Sequence, residues 1–191
     1  MAGPNGSGKT SVTEQLLRHA WAESCLYINP DQIAQDEFGG WDSPGSFLRA
    51  AQKAEKLRND CLAVGRSLVF ETVFSRFEKV EFLQRAQAKG YFIRFFFVCT
   101  DDPEINVRRV ARRVSEGGHD VPRDKIIGRY DRSIANCAAA VRFVDRAYCY
   151  DNSVEEADPR LVFRADLGVI KKEYGKVNDW ARPIFSALRQ A

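Results

Sequence analysis

The chain alternates short apolar runs with longer stretches in which apolar residues recur every three or four positions. This alternation is typical of strands joined by crossover helices, the pattern of an α/β protein. The run at 91–100 is apolar almost throughout, which predicts a strand at the centre of a parallel sheet, covered on both faces. In all, the pattern predicts strands at residues 26–29, 67–71, 91–100, 147–150 and 161–164.

Helices are predicted between these strands, and capping residues set several of their ends. Ser43-Pro44 has the residue types of a helix start, and Gly65 those of the end of the same helix. Asp102-Pro103-Glu104 begins another helix in the same way. The full set of predicted helices is 10–21, 43–65, 77–88, 102–116, 122–144 and 169–191, the last interrupted by Pro183.

These elements predict a single three-layer α/β/α domain over residues 1–191, with a mostly parallel sheet and a C-terminal helical extension at about 166–191. The chain has 191 residues, 45% of them hydrophobic, which suits one core and is too short for two large domains. No apolar run reaches the roughly 20 residues of a membrane-spanning helix. The N-terminus also lacks the pattern of a secretory signal, so we expect a cytoplasmic protein.

The basic residues and the cysteines of the chain indicate which ligands and cross-links to expect. The net charge is +3, and 20 of the 29 basic residues are Arg, the side chain that binds phosphate and carboxylate in a bidentate manner. The five cysteines are widely spaced and form no CxxC pair. This spacing favours reduced core thiols over a disulfide framework or a zinc site.

The strongest motif is Gly3-Pro4-Asn5-Gly6-Ser7-Gly8-Lys9-Thr10, which matches the phosphate-binding pattern G-x-x-x-x-G-K-[ST] and leads into the first predicted helix. The glycines allow backbone N–H groups to turn toward an anion at the helix N-terminus. In such a loop Lys9 reaches the terminal phosphates and the Thr10 hydroxyl ligates Mg²⁺. All eight residues are therefore predicted to bind the nucleotide, with ATP and Mg²⁺ as cofactors.

The loop motif normally follows a strand, but only Met1 and Ala2 precede Gly3. The first strand of the sheet is therefore predicted to be missing from this sequence. Three explanations stay open: the natural start lies upstream, another segment fills the place of the strand, or that place is empty.

Two carboxylates follow predicted strands, at the edge of the sheet where open α/β proteins bind ligands. Asp31 is a candidate general base for a substrate hydroxyl, with a helix cap as its alternative role. Glu71 is a candidate ligand of Mg²⁺ or of a substrate hydroxyl, and its alternative is simply to end a strand in solvent. For Asp101 and Asp102, after the third strand, capping the next helix is the expected role.

One face of the helix predicted at 102–116 carries four arginines: Arg108, Arg109, Arg112 and Arg113. Like charges four residues apart repel, so this face is either a phosphate site or a solvated surface that Glu116 partly neutralises. Gly117-Gly118-His119 follows and predicts a hinge of a mobile lid at about 104–132, which would bring arginine to the transferred phosphate. His119 is a candidate substrate contact, with simple exposure as the alternative.

Together these motifs resemble the zeta-toxin-like P-loop kinases, which are similar to polynucleotide kinases and chloramphenicol phosphotransferases. The resemblance covers about residues 2–153. It rests on the loop combined with Ile28-Asn29-Pro30-Asp31, Phe70-Glu71-Thr72, Arg108-Arg109-Val110-Ala111-Arg112-Arg113 and Gly117-Gly118-His119-Asp120-Val121-Pro122. The loop alone is shared by very many NTPases, whereas this combination is much more specific.

The resemblance implies a kinase that transfers the γ-phosphate of ATP to a hydroxyl, in zeta toxins the 3′-hydroxyl of UDP-N-acetylglucosamine. It implies Asp31 as catalytic base and Glu71 with Thr72 as the substrate-binding pair. One phosphate-clamping arginine is expected in the four-arginine face, and the second is Arg123 or is replaced by His119. Relatives in this group are paired with antitoxin proteins, so an antitoxin is a candidate partner.

We therefore predict an ATP- and Mg²⁺-dependent kinase for a hydroxyl of a small molecule, such as a nucleotide sugar. Two alternatives stay open: an ATP-binding module without phosphotransfer, and a nucleic-acid end kinase, which the low net charge disfavours. The predicted catalytic residues are Asp31, Lys9, Arg109 and Arg112. Beyond the loop, the predicted nucleotide-binding residues are Arg113 and Arg123, the substrate-binding residues are Asp31, Glu71, Thr72 and His119, and the metal-binding residues are Thr10 and Glu71.

Overall fold

Helices and strands alternate along the part of the chain that the structure, a computed structural model, describes: residues 1–40, 43 and 45–189. The α-helices of these residues are α1 (Lys9–Leu17), α2 (Pro30–Glu37), α3 (Ser46–Val64), α4 (Glu78–Ala88), α5 (Pro103–Ser115), α6 (Arg123–Ala140) and α7 (Arg182–Arg189). The strands are β1 (Leu26–Ile28), β2 (Leu68–Phe70), β3 (Arg94–Cys99), β4 (Arg146–Asp151), β5 (Arg160–Asp166) and β6 (Val169–Glu173). Two short 3-10 helices are Ala20–Ala22 and Asp179–Ala181.

The described chain forms two units, Thr10–Thr72 and a second unit made of Met1–Lys9 with the chain from Val73 onward. In the Thr10–Thr72 unit, β1 and β2 pair in parallel, with Ile28 opposite Phe70. Parallel pairing places the carboxyl ends of both strands at one edge. The segments that follow those ends, Asn29–Asp31 after β1 and Glu71 after β2, therefore lie side by side.

Helix boundaries in this unit follow from local chemistry. The Asn29 side chain caps α2 by accepting a hydrogen bond from the Asp31 amide at 2.9 Å, and Pro30 occupies the first helical position. Helix α3 ends at Gly65, as predicted, with φ of 72°. Its predicted start at Ser43-Pro44 includes Pro44, which lies outside the described residues, and the helix begins at Ser46.

The first helix is shorter than its apolar spacing predicts. It ends at Leu17, where the Arg18 and His19 amides bond three residues back rather than four. Such bonds tighten the last turn of a helix and end its regular hydrogen bonding. The apolar residues beyond it lie in the separate 3-10 helix Ala20–Ala22.

In the other unit, β3 is buried as its sequence predicts, but it stands at the end of the strand order β3-β4-β5-β6 and not at the centre of a parallel sheet. Phe97, Val98 and Cys99 are fully buried, and β3 pairs in parallel with β4 along its whole length. Strand β4 then pairs with β5, and β5 with β6, in antiparallel fashion. The mostly parallel arrangement therefore holds for β1 to β4 and not for the last two strands.

Ala2 occupies the side of β3 that β4 leaves open. It forms a parallel bridge with Phe97: the Ala2 amide donates to the Phe96 carbonyl at 2.8 Å, and the Val98 amide donates to the Ala2 carbonyl at 2.9 Å. Within the described residues, this single residue pairs where the predicted missing strand would lie. The bridge also fixes the start of the glycine-rich loop directly beside β3.

The predicted helical extension at 166–191 is wrong for its first part. Leu167 and Gly168 both have positive φ values, 47° and 77°, which close a tight turn that sends the chain back as strand β6. Only Arg182–Arg189 is α-helical, with Pro183 in its first turn, where the missing N–H of proline costs nothing. Helical spacing beyond Pro183 was therefore predicted correctly, whereas the hairpin was missed.

The C-terminal segment also contributes to the core around β3. The Trp180 ring packs against Phe97 with ring centroids 6.0 Å apart. Its indole N–H donates to the buried Asp151 carboxylate at 3.2 Å, and the Ser153 hydroxyl donates to the same oxygen at 2.6 Å. Hydrogen bonds from Trp180 and Ser153 thus hold the Asp151 side chain at the end of β4.

Two further predictions concern helix α5 and the cysteines. The Asp102 side chain accepts a hydrogen bond from the Glu104 amide at 2.8 Å, which confirms its capping role. All five cysteines are free thiols, as predicted, and four of them are buried. Within the described ranges, no helix has the length and apolarity needed to cross a membrane.

Candidate functional site

The glycine-rich loop at 3–10 turns sharply into α1, and two of its positions require glycine. Gly6 and Gly8 have φ values of 73° and 86°, which strain any residue with a side chain. A Cβ atom on Gly6 would lie 2.6 Å from the Asn106 carbonyl oxygen, and one on Gly8 would collide with the Asn152 amide. The bare backbone therefore forms a cradle at the N-terminus of a helix, which fits a phosphate group.

Side chains from α5, α6 and the end of β4 hold this loop. The Asn106 amide donates to the Asn5 carbonyl at 2.7 Å, and the Asn152 amide donates to the Ser7 carbonyl at 2.9 Å. The Arg129 guanidinium donates to the Asn5 side-chain oxygen at 3.2 Å. We did not identify these three residues as site residues from the sequence. Asn152 could have been identified from the sequence, because it comes directly after a strand, where ligand-binding residues are expected.

Two polar side chains of the loop itself lie over its backbone. The Lys9 ammonium group donates to the Pro4 carbonyl at 2.8 Å, so its charge lies on the loop. Ser7 is fully buried, and its hydroxyl has no hydrogen-bond partner among the described residues. Both groups are donors, which suits an anionic ligand.

A second cluster lies in the Thr10–Thr72 unit, where β1 and β2 end. The Thr10 hydroxyl donates to Glu71 Oε2 at 3.4 Å, and the Tyr27 hydroxyl donates to Glu71 Oε1 at 2.6 Å. The Asn29 amide donates to the Tyr27 hydroxyl at 3.0 Å. Asp31 lies in the first turn of α2 with its side chain exposed. The predicted residues Thr10, Asp31, Glu71 and Thr72 are thus on one sheet edge.

Burial sets the protonation state of Tyr27. Removal from water, followed by the hydrogen bond to Glu71, raises the pKa of the Tyr27 hydroxyl well above its ordinary value of 10.0. Tyr27 therefore stays protonated and acts as a donor to Glu71 throughout the physiological pH range. Sequence reasoning missed Tyr27, because a tyrosine within a short apolar strand reads as a core residue.

The oxygens of Thr10 and Glu71 are of the type that Mg²⁺ prefers, since Mg²⁺ binds hydroxyl, carboxylate and phosphate oxygens. Their separation of 3.4 Å brings the two side chains to one place. Glu71 is buried although it carries a carboxylate. Nowhere in the described chain, this place included, do three His, Cys, Asp or Glu side chains cluster as a metal site. The side-chain oxygens of Thr10 and Glu71, both in the Thr10–Thr72 unit, therefore fit Mg²⁺.

The four arginines predicted on one face of α5 do not share one environment. Arg108 is exposed, and Arg112 pairs with Glu116 at 3.2 Å in the exposed i,i+4 bridge that the sequence indicates. Arg109 donates to the Asn152 carbonyl at 2.8 Å, and Arg113 donates to the His119 carbonyl at 2.9 Å. The face therefore divides into a solvated half and a half that binds backbone carbonyls.

The remaining lid candidates lie at the start of α6 and in the turn before it. Arg123 forms an ion pair with Glu104, which joins the first turns of α5 and α6. His119 is half-buried in the turn between these helices. The phosphate-binding roles of Arg109, Arg112, Arg113 and Arg123 and the substrate role of His119 remain predictions.

Arg129 is the arginine that contacts the glycine-rich loop directly. It lies on α6, half-buried, and burial together with the nearby charge of Arg132 lowers the pKa of its guanidinium. A guanidinium still carries its charge at neutral pH. Arg129 is therefore a partly desolvated cation facing the phosphate-binding loop through Asn5.

A comparison with protein families shows which family the glycine-rich loop and its surroundings belong to. The family model for the AAA domain matches residues 1–131 of the 191 in the chain. The chain belongs to the AAA domain family. The match includes the glycine-rich loop, Asp31, Glu71 and all of α5. No curated protein matches the sequence.

Solved structures similar to this AAA domain include members of two systems. A structure of the PezAT chromosomal toxin-antitoxin system of Streptococcus pneumoniae matches with a TM-score of 0.62 and 18% identity, over 100% of this chain and 86% of the other. The AvrRxo1-ORF1:AvrRxo1-ORF2 complex with sulphate ions matches with a TM-score of 0.67 and 17% identity, over 98% of this chain. The same complex with ATP matches with a TM-score of 0.60 and 15% identity. This chain spans 62% of the AvrRxo1 chain that it matches.

These likenesses establish the fold of the AAA domain. They confirm the predicted three-layer α/β/α P-loop NTPase class and the predicted resemblance to zeta-toxin-like P-loop kinases. They assign no role to individual residues, because the identities of 15% to 18% are too low. The P-loop NTPase fold of the AAA domain is thus the established starting point for function.

Proposed function

We propose that the chain is an ATP- and Mg²⁺-dependent kinase that transfers the γ-phosphate of ATP to a hydroxyl of a small molecule. The hydrogen bond between Thr10 and Glu71 at 3.4 Å carries this proposal. It places a buried carboxylate beside the hydroxyl that ligates Mg²⁺ in loops of this type. A carboxylate at this point can hold Mg²⁺ through water beside the bound phosphates.

Each residue of the proposed site has a defined task. The loop amides and Lys9 hold the β- and γ-phosphates, and the Thr10 hydroxyl holds Mg²⁺, which when bound neutralises charge on the phosphate oxygens. Asp31 orients the acceptor hydroxyl and accepts its proton. Arginines of α5 and α6 stabilise the charge of the transferred group. Most of the acceleration in such a reaction comes from positioning and electrostatics.

The proposed acceptor is a hydroxyl-bearing metabolite such as a nucleotide sugar. Two features support this class: the resemblance to zeta-toxin-like kinases, and the pair Glu71-Thr72 at the end of β2. A carboxylate accepts hydrogen bonds from sugar hydroxyls, and a hydroxyl side chain both accepts hydrogen bonds from them and donates hydrogen bonds to them. We propose Glu71 and Thr72 as the residues that select the acceptor.

Transfer of label from γ-labelled ATP tests the proposal, with Mg²⁺ and a panel of UDP-sugars, nucleosides, NAD and short oligonucleotides. We expect a labelled small-molecule product, and we expect Asp31→Asn and Lys9→Ala to lower its rate by a factor of about 100 or more. Arg76→Ala, which removes only an exposed ion pair with Glu78, is the matched surface control and keeps the wild-type rate.

The same assay separates the alternatives. Suppose that the wild-type protein binds ATP but labels no acceptor, even at high acceptor concentration. That result would favour the ATP-binding module without phosphotransfer. Labelled oligonucleotides whose formation falls steeply with salt would favour the nucleic-acid end kinase. A wild-type rate in Asp31→Asn would remove Asp31 from the role of base.

We also propose a protein partner of the antitoxin kind. The support is that the similar structures come from a toxin-antitoxin system and from a complex of two proteins. Expression of the chain in a bacterial host tests the need for such a partner. We expect arrested growth that Asp31→Asn relieves, whereas equal growth of both strains would contradict it.

A further inference from the structure

Four side chains in the Thr10–Thr72 unit form one continuous chain of hydrogen bonds. It begins at the Asp31 amide, which donates to Asn29 Oδ1 at 2.9 Å, and continues from Asn29 Nδ2 to the Tyr27 hydroxyl at 3.0 Å. Tyr27 donates to Glu71 Oε1 at 2.6 Å, and Thr10 donates to Glu71 Oε2 at 3.4 Å. The chain joins the residue proposed as base to the residue proposed as Mg²⁺ ligand.

Every link in this chain has a fixed direction. Asn29 accepts with its oxygen from the Asp31 amide, so its nitrogen must face Tyr27. Asn29 Nδ2 donates and the Glu71 carboxylate accepts, so the Tyr27 hydroxyl between them accepts from Asn29 and donates to Glu71. The Thr10 hydroxyl donates a hydrogen bond to Glu71, which leaves the lone pairs of its oxygen for a cation. No group in the chain has to change its protonation state.

We infer that Tyr27 and Asn29 are positioning residues for phosphoryl transfer, which hold Glu71 and the first turn of α2 in one fixed arrangement. This inference rests on the proposed kinase function. Neither residue touches the reacting atoms. Tyr27 fixes which way the Glu71 carboxylate faces, and Asn29 couples that orientation to the backbone of Asp31.

Two physical arguments support a positioning role over a purely structural one. Glu71 is buried, and a buried carboxylate without donors is costly, so its two hydroxyl donors decide its rotamer. A cap on α2 needs only an oxygen from Asn29. The amide nitrogen and the Tyr27 hydroxyl are not needed for the cap, so their contacts serve the link to Glu71.

The test uses conservative substitutions, each of which removes one hydrogen-bonding group and leaves the rest of the unit in place. Tyr27→Phe removes the hydroxyl alone, and Asn29→Ser keeps a capping oxygen but is too short to reach Tyr27. Tyr148→Phe is the matched control, since Tyr148 is a half-buried tyrosine of β4 whose ring stacks on Phe96. We expect each site variant to lower kcat about 10-fold with KM for ATP within about two-fold, and the control to match wild type.

The double variant Tyr27→Phe with Asn29→Ser distinguishes one coupled chain from two independent contacts. Both changes break the same chain, so we expect the double variant to be about as slow as either single variant. A kcat for Tyr27→Phe within about two-fold of wild type, or multiplying effects in the double variant, would overturn the inference.

Amide hydrogen exchange keeps the inference testable if the kinase proposal fails. A wild-type protein that labels no acceptor contradicts the proposed function. In that case the exchange rate of the Asp31 amide decides: a rise of about three-fold in Tyr27→Phe, at an unchanged melting temperature, supports the hydrogen-bond chain. An Asp31 exchange rate equal to that of wild type overturns it.

Discussion

Asn152 donates its side-chain amide to the Ser7 carbonyl at 2.9 Å, a contact between residues 145 positions apart. The Asn152 backbone is held as well, because its N–H donates to Cys99 and its carbonyl accepts from Arg109. One residue just after β4 therefore connects strand β3, helix α5 and the phosphate-binding loop. The loop owes its shape to residues outside its own sequence motif.

We expect Asn152→Ala to weaken ATP binding about five-fold, the effect of losing one buried hydrogen bond to the loop. Isothermal titration calorimetry with ATP measures this change. Asn178→Ala is a suitable control, because Asn178 bonds to Asp101 on the exposed surface. An unchanged dissociation constant for ATP in Asn152→Ala would show that the loop keeps its shape without this anchor.

Arg129→Ala is expected to slow phosphoryl transfer by about 100-fold, because a partly desolvated cation near the phosphates stabilises developing charge strongly. Arg129→Lys should recover only part of the rate, since an ammonium group cannot reproduce the fork of a guanidinium. Single-turnover kinetics with saturating ATP measure both variants. Equal rates for Arg129→Ala and wild type would place Arg129 in a structural role at Asn5.

Phe97→Ala is expected to lower the free energy of unfolding by about 3 to 5 kcal/mol. The Phe97 ring is fully buried on β3 and packs near the rings of Phe95 and Trp180, so its removal leaves a cavity. Urea denaturation followed by circular dichroism gives the value. Leu48→Ala, at a side chain 62% exposed, should cost less than about 1 kcal/mol.

Stability is expected to fall as the pH rises above about 10, in part through Tyr130. Burial, with the nearby Cys99, raises the pKa of the Tyr130 hydroxyl above its ordinary value of 10.0, and that hydroxyl donates to the Thr100 carbonyl. The folded protein then binds more protons than the unfolded chain above pH 10, so unfolding becomes easier with rising pH.

Tyr130→Phe isolates this contribution. The unfolding free energy of wild type minus that of the variant should decline by up to about 1.4 kcal/mol per pH unit above pH 10. Urea denaturation at a series of pH values from 8 to about 11 measures the decline. A constant difference over this range would show that Tyr130 titrates alike in the folded and unfolded chain.

The sequence predicted most of the fold because its signals are local. Caps such as Asp102 and end signals such as Gly65 act over a few residues, so patterns reveal them directly. Strand β6 was missed because its turn depends on Leu167, a residue that seldom adopts positive φ. Its exposed residues 169–173 also offer no core-facing alternation that would indicate a strand.

For the site, the rule that ligands bind at strand ends singled out Glu71, which lies 3.4 Å from the Thr10 hydroxyl and whose role remains a prediction. It could not predict how the loop is anchored. Asn106 and Arg129 contact Asn5 over separations of 101 and 124 residues, and nothing in their local sequence indicates a target. Such contacts depend on how the helices pack, which periodicity alone does not specify.

Trp180 provides an optical reporter of the loop. The chain has three tryptophans, and Trp180 is buried with its indole N–H on Asp151, the residue before Asn152. Indole emission depends on the charge and polarity around the ring. With Trp21 and Trp41 replaced by Phe, the remaining fluorescence reports on Asp151, so a titration with ATP tests in real time, without any attached dye, whether the loop binds the nucleotide.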